Sequence, residues 1–261
     1  MAAGDVEVNL TTPIAKRGAL FDGVDDVLVI SDDATVHDIW DGGASLALWI
    51  FPLSTGGAGQ GRMLEKRHLF YITQEAGGNC NLKLETTWSG NKGIWTTTGR
   101  PVTMNAWNRI MLTYNSDNTV NDPIMYVNGT VAPITEDTAP TGTRSSDAGS
   151  DWNIGNNPAK SRDFDGTIGD YTVWSRILSV SEVSQDAGNT KITSNLLLHL
   201  PLIDDYTDSV GSNNGTNDGS RLGIFENAVA VAISDARTTA NDQYIIATGK
   251  GGQIISTIIE E

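Results

Sequence analysis

The sequence runs to 261 residues, with 28 glycines, 17 Lys and Arg against 32 Asp and Glu, and a formal net charge of −15. That charge disfavours nucleic acid and anionic membrane surfaces as partners and suits a cation or a neutral ligand such as a sugar. A single cysteine, Cys80, excludes an intrachain disulfide and a thiolate metal cluster, and no apolar run approaches the roughly 18 residues that would insert in a membrane.

Residues 1–17 read as a polar N-terminal arm. The opening MAAGDVEVNLTTPIAKRGAL lacks a basic start followed by an apolar core, so no secretory signal is expected. From residue 18 onward, short apolar alternations are separated by clusters of Gly, Thr, Asn and Asp. That punctuation predicts an all-β antiparallel sandwich or barrel. Predicted strands are VLVIS (27–31), ASLALWIFP (44–52), HLFYITQE (68–75), NLKLETTW (81–88) and NRIMLTYN (108–115), then IMYVNG (124–129), DWNIGNN (151–157), GDYTVWSRIL (169–178) and LLLHLPLID (196–204).

Asn128-Gly129, flanked by β-formers, predicts a two-residue hairpin turn. One short helix is predicted at LSVSEVSQDA (178–187), capped by Ser179 or Ser181. DYTDSVGSNNGTNDGS (205–220) reads as a loop too polar to pack. Residues 221–261 differ in texture and end in a predicted hairpin, QYIIAT and QIISTII on either side of GKGG. An apolar two-stranded hairpin is marginal alone and aggregates when exposed, so it is expected to cover its own domain or pair with another subunit.

The blocks ALFDGVDDVLVI (19–30), SLALWIFP (45–52), WNRIMLTYN (107–115), MYVNGTVAP (125–133), WNIGNN (152–157) and FDGTIGDYTVWSRILSVSEV (164–183) stand in the order of one module. In that order they resemble laminin-G-like, concanavalin A-like lectin/glucanase jelly-roll modules of the kind found in bacterial and phage surface proteins. LLLHLPLIDDYTDSVGSNNGT (196–216) also resembles a strand common beside them. The resemblance implies two antiparallel sheets packed face to face across residues 18–220, and no particular activity.

Hydrolases of this fold carry paired carboxylates on one strand, Glu-x-Asp-x-x-Glu or a near variant, and no such run is present. A glycan hydrolase or lyase is therefore the least favoured reading. The histidines, His37, His68 and His199, form no zinc or serine-hydrolase motif, and His199 within LLLHLPL reads as a sheet or core histidine. Ser161, Asp163, Asp165, Gly166 and Ile168 fit EF-hand positions, but Thr172 stands where the closing Glu belongs, which rejects that motif. Asn9, Asn128 and Asn214 match a glycosylation pattern and read as ordinary turn or loop residues.

No cofactor is required by any motif. A structural Ca2+ is the one metal to test, with Asp22, Asp25, Asp26, Asp165 and Asp170 as its candidate ligands, since jelly-roll modules often hold calcium where strand ends meet. The alternative is that these acids cap turns and keep a sheet edge soluble. Trp49, Trp107 and Trp174 occupy apolar block positions and are assigned to the core. Trp88, Trp95, Trp40 and Trp152 lie outside or at the margin of those blocks and are the carbohydrate-binding candidates, with burial as the alternative for each.

Two Phe-Asp-Gly stretches, 21–23 and 164–166, read as an early and a late strand of one sandwich, each Phe anchoring the core and each Gly making a turn. The functional expectation is a non-catalytic structural or interaction protein of a virion surface, a phage capsid-decoration or fibre component. Its expected partners are other virion subunits or copies of itself, a homo-oligomer made through the C-terminal arm, and a cell-surface glycan. The alternative is a carbohydrate-binding or adhesion module, extracellular or on a cell surface, that leaves the cell without that signal.

Overall fold

The computed structural model describes residues 17–224, 244–248 and 255–259. In chain order the strands are β1 (Arg17–Asp22), β2 (Val27–Ile30), β3 (Ala44–Pro52), β4 (Gly61–Lys66), β5 (His68–Ala76), β6 (Asn79–Thr86), β7 (Gly93–Thr97), β8 (Val102–Thr103), β9 (Asn108–Tyr114), β10 (Ile124–Val127), β11 (Thr130–Ala132), β12 (Ile134–Thr138), β13 (Trp152–Ile154) and β14 (Asp165–Trp174). The helix α1 (Val180–Ala187) follows, then β15 (Leu196–Leu200), β16 (Gly215–Asp218), β17 (Arg221–Ile224), β18 (Tyr244–Thr248) and β19 (Ile255–Ile259).

Two antiparallel sheets form the sandwich that the sequence predicts. The first runs β11-β10-β9-β3-β14-β1-β17 with β15 beside β14, and the second runs β12-β7-β6-β5-β4-β13-β2-β16 with β8 beside β6. Period-two alternation sends Leu46, Leu48 and Ile50 of β3 and Ile110, Leu112 and Tyr114 of β9 inward, where they meet Phe70, Ile72, Leu82 and Leu84 of the second sheet.

The two Phe-Asp-Gly stretches are hydrogen-bonded neighbours. β1 pairs antiparallel with β14, Phe21 opposite Gly166 and Asp22 opposite Asp165, and the Phe21 and Phe164 rings meet edge to face with centroids 6.5 Å apart. Their glycines differ. Gly23 turns the chain at φ 75°, whereas Gly166 lies within a strand at φ 138°, where a Cβ would stand 2.1 Å from the Phe51 carbonyl oxygen.

The hairpin turn at Asn128-Gly129 joins β10 to β11, with both residues at positive φ. Ser179 caps α1 in a full capping box with Glu182. β18 and β19 pair with each other, as expected of the C-terminal hairpin.

Two expectations change. The stretch 205–220 folds onto the sandwich: β16 pairs with β2 at the edge of the second sheet. Asp208 is buried there because its carboxylate accepts the N–H groups of His199, Val210 and Asn213, so polarity is satisfied internally rather than by water. Residues 221–224, assigned by sequence to the C-terminal arm, form β17 on the first sheet. One compact unit spans Gly18–Gly223. The rest of the N-terminal arm, Asn9 included, and residues 225–243, 249–254 and 260–261 lie outside the described residues. Among the described residues no helix is long and apolar enough to cross a membrane.

Candidate functional site

On β2, Leu28 and Ile30 point into the core, which leaves Val27 and Val29 on the outer face of the second sheet. The register places Asp218 of β16 beside Val27 and Asn153 of β13 beside Val29, and Asn153 in turn faces Glu65 of β4. Together with Ser150, Asp151, Lys160 and Arg67 these residues line a groove of about 500 Å³. Its floor is apolar and its walls carry hydrogen-bonding groups.

Most charges in the groove are already engaged. Lys160 Nζ lies 2.7 Å from Asp218, and Arg62 holds Glu65 at 2.7 Å. Lys66 turns inward, donates to the Val36 carbonyl at 2.8 Å and faces the buried Asp147 at 3.4 Å. Among the described residues the Asp151 carboxylate accepts only the backbone N–H of Asp32, at 2.9 Å.

The acidic turn between β1 and β2 lies close to Lys160, whose pKa is raised by its bond to Asp218 and by the charges of Asp218, Asp25 and Asp26. Asp22, Asp25 and Asp26 bring their carboxylate oxygens within 4.8 Å of one another. Burial pushes the Asp26 carboxyl above the ordinary range and the neighbouring Asp22 and Asp25 charges add to that, against the hydrogen bond from the Asp22 N–H. Three hard oxygen donors fit part of a Ca2+ shell, with water or backbone supplying the remainder.

Of the other two candidate ligands, Asp165 sits across from Asp22 in the register and its side chain lies against Gly23. Asp170 belongs elsewhere. A bulge between Gly169 and Thr172 places it at φ 46° on the first sheet, where it meets Arg109 at 3.0 Å and His199 at 2.8 Å.

The tryptophan assignment is reversed in good part. Trp95, Trp40, Trp152 and Trp88 are 0%, 1%, 1% and 6% exposed, so none presents a ring face to a sugar. Three of their N–H groups are satisfied internally: Trp88 donates to Thr86, Trp95 to Asp122 and Trp152 to Tyr171. Of the three assigned to the core, Trp174 is buried, whereas Trp49 and Trp107 are half-buried on the outer face of the first sheet. The sequence gives strand blocks but not which side of each strand faces in; Trp95 faces in because it pairs with the core residue Leu84.

The histidines stand apart, as the sequence indicates. His37 pairs with Asp32 at 2.6 Å. His199 is buried on its sheet and contacts Asp170, Ser209 at 2.6 Å and Lys191 at 3.1 Å. His68 is buried with no hydrogen-bond partner at either ring nitrogen among the described residues, and burial together with the Arg144 charge pushes its pKa down to about 4. The groove itself escapes sequence reading, since β13 and β16 are short, β16 is polar, and their outward residues converge only through cross-strand register.

Comparison with known proteins places the fold. No curated protein sequence matches the chain. Among solved structures, a candidate carbohydrate-binding protein from Bacteroides ovatus matches with a TM-score of 0.57 at 16% identity, over 80% of this chain and 60% of that one. The chain thus spans about three fifths of that protein's length. The native heptameric SAP-like pentraxin of Limulus polyphemus matches with a TM-score of 0.58 at 14% identity, over 82% of this chain and 97% of that one. At these identities the likeness is one of fold. Residues 22–184 match the Laminin_G_3 family, described as the concanavalin A-like lectin/glucanases superfamily. The chain belongs to that laminin-G-like family of the concanavalin A-like superfamily.

Proposed function

We propose that this chain is a non-catalytic interaction protein that takes a saccharide along the groove of its second sheet. The observation that carries the reading is the composition of that groove: an apolar floor of Val27 and Val29 beside Asp151, Asn153 and Asp218. A pyranose offers the matching surfaces, an apolar C–H face and a rim of hydroxyls. Glu65 and Asp218 are tied to Arg62 and Lys160, an arrangement suited to holding shape rather than transferring protons. Calcium at Asp22, Asp25 and Asp26 belongs to this reading as a brace for the adjoining turn.

The test is binding of the full chain to a glycan array, with and without EDTA, beside a Val29→Trp variant that fills the groove from an outward-facing position. Binding lost in Val29→Trp at unchanged thermal stability supports the reading. Binding that survives the variant places the ligand elsewhere and overturns it.

We further infer a place on a virion surface, as a capsid-decoration or fibre component. The supporting observation is the hairpin of β18 and β19, YIIAT and ISTII, which pair with each other. Two strands of such apolar sequence are marginal alone and call for a partner. Sedimentation of the full chain against a chain lacking 225–261 tests the assembly, and a monomer in both cases sinks it.

A further inference from the structure

Resting on the saccharide reading above, we propose that the groove selects an acidic saccharide, and that Arg67 receives its carboxylate or sulfate. Arg67 occupies the turn between β4 and β5, is exposed, and lines the groove. Every other cation on the groove wall has an acidic partner: Lys160 has Asp218, and Lys66 has Asp147. Among the described residues no hydrogen bond or ion pair engages the Arg67 guanidinium. An unmatched guanidinium on a chain of net charge −15 stands out from the surrounding field as a place for an anion.

Arg67 holds φ 54°, a left-handed conformation in which glycine would be unstrained. Its fork of N–H donors matches the two oxygens of a carboxylate or sulfate.

Asp151 completes the pairing. It is exposed, lies in the same groove and faces no cation within ion-pair distance among the described residues. An acidic sugar laid along Val27 and Val29 sets its anionic group on Arg67 and donates a hydroxyl to Asp151. A neutral sugar leaves Arg67 unanswered, and a bare anion leaves Asp151 repelled. The ligand class that satisfies both is a sugar acid or a sulfated sugar.

The experiment uses an array carrying uronate-bearing, sialate-bearing, sulfated and neutral glycans, probed with the full chain, Arg67→Gly, Arg67→Lys and Val29→Trp. Arg67→Gly suits the left-handed backbone and is expected to fold. The expected result is capture of acidic glycans, weakened roughly 10- to 100-fold in Arg67→Gly and less in Arg67→Lys. The carboxylate and sulfate arms show which group is taken. Neutral glycans bound as tightly as acidic ones, with no response to Arg67→Gly but loss in Val29→Trp, would overturn this inference and leave the saccharide groove standing. Absence of binding to every glycan would overturn both.

Discussion

The outer face of the first sheet carries Ala47, Met111, Tyr126 and Trp174, and the segment after β14 folds back over them. Val183 of α1, Leu178 and Ile192 complete a second apolar cluster there. Arg109 of β9 fastens the helix, donating through Nε and Nη2 to the two oxygens of Asp186 at 2.7 and 2.8 Å. The outer face of the second sheet has Val27 and Val29 among Asp, Asn, Glu and Lys, and opens as a groove. The contrast follows from side-chain parity. β3 is buried at eight of its nine positions because both of its faces are apolar, so its outer face needs cover. β2 is apolar at all four positions, but its neighbours β13 and β16 set Asn153 beside Val29 and Asp218 beside Val27 and leave a face that water or a hydroxylated ligand can wet.

The sharpest way to break this contrast is to remove the fastening of the closed face. Arg109→Ala leaves Asp186 buried and unpaired and is expected to destabilise the sandwich by about 3–5 kcal/mol, lowering Tm by roughly 10 °C. The double change Arg109→Met with Asp186→Leu should recover much of the loss, since neither residue is then a buried charge. Calorimetric melts check both, and an unchanged Tm in Arg109→Ala would mean that the apolar cluster closes the face unaided.

A milder change acts on the helix alone. Ser179→Ala removes half of the capping box and is expected to cost about 1 kcal/mol. Hydrogen exchange should quicken in α1 and stay constant in β2 and β13; equal quickening at the groove would show that the two faces are coupled.

The smallest effect, and a test of the metal, is the titration of one acid from each region by NMR. Burial raises Asp170, but the hydrogen bond from His199 and the charge of Arg109 outweigh it and hold the carboxyl below the ordinary range. Its contribution to stability is present above the usual carboxylate pKa and lost as pH falls through the lowered folded value. Asp26 is raised, so its contribution has the opposite sign, present at low pH and lost as pH rises through the folded value. Asp170 should therefore titrate below the unfolded value and Asp26 above it, and Ca2+ should pull Asp26 down while leaving Asp170 in place. An Asp26 midpoint indifferent to Ca2+ removes the metal from the acidic turn.

How far the sequence could be read depends on the range of the interaction concerned. Strand blocks, the Asn128-Gly129 turn, the Ser179 cap and the C-terminal hairpin are written in residues that touch along the chain, so propensity and spacing suffice to find them. The acidic turn was legible in part, because Asp22, Asp25 and Asp26 are within five residues of one another. Asp170 was misgrouped with them, because a one-residue bulge in β14 turns it toward Arg109 and His199, and nothing local announces a bulge. The tryptophans failed similarly. Position outside an apolar block gave no account of the cross-strand partner that faces Trp95 inward, nor of the tertiary cover over Trp88 and Trp40.

By itself the sequence determined the fold class of this protein, its helix α1 and its charge, because these follow from composition, period and nearest-neighbour chemistry. Tertiary structure decided which face of each sheet is sealed. It also set Phe21 against Phe164 across more than 140 residues of chain, and gathered Val29, Asn153, Lys160 and Asp218 into one groove. Those outcomes rest on register, and register is fixed only when distant strands bury their apolar sides together.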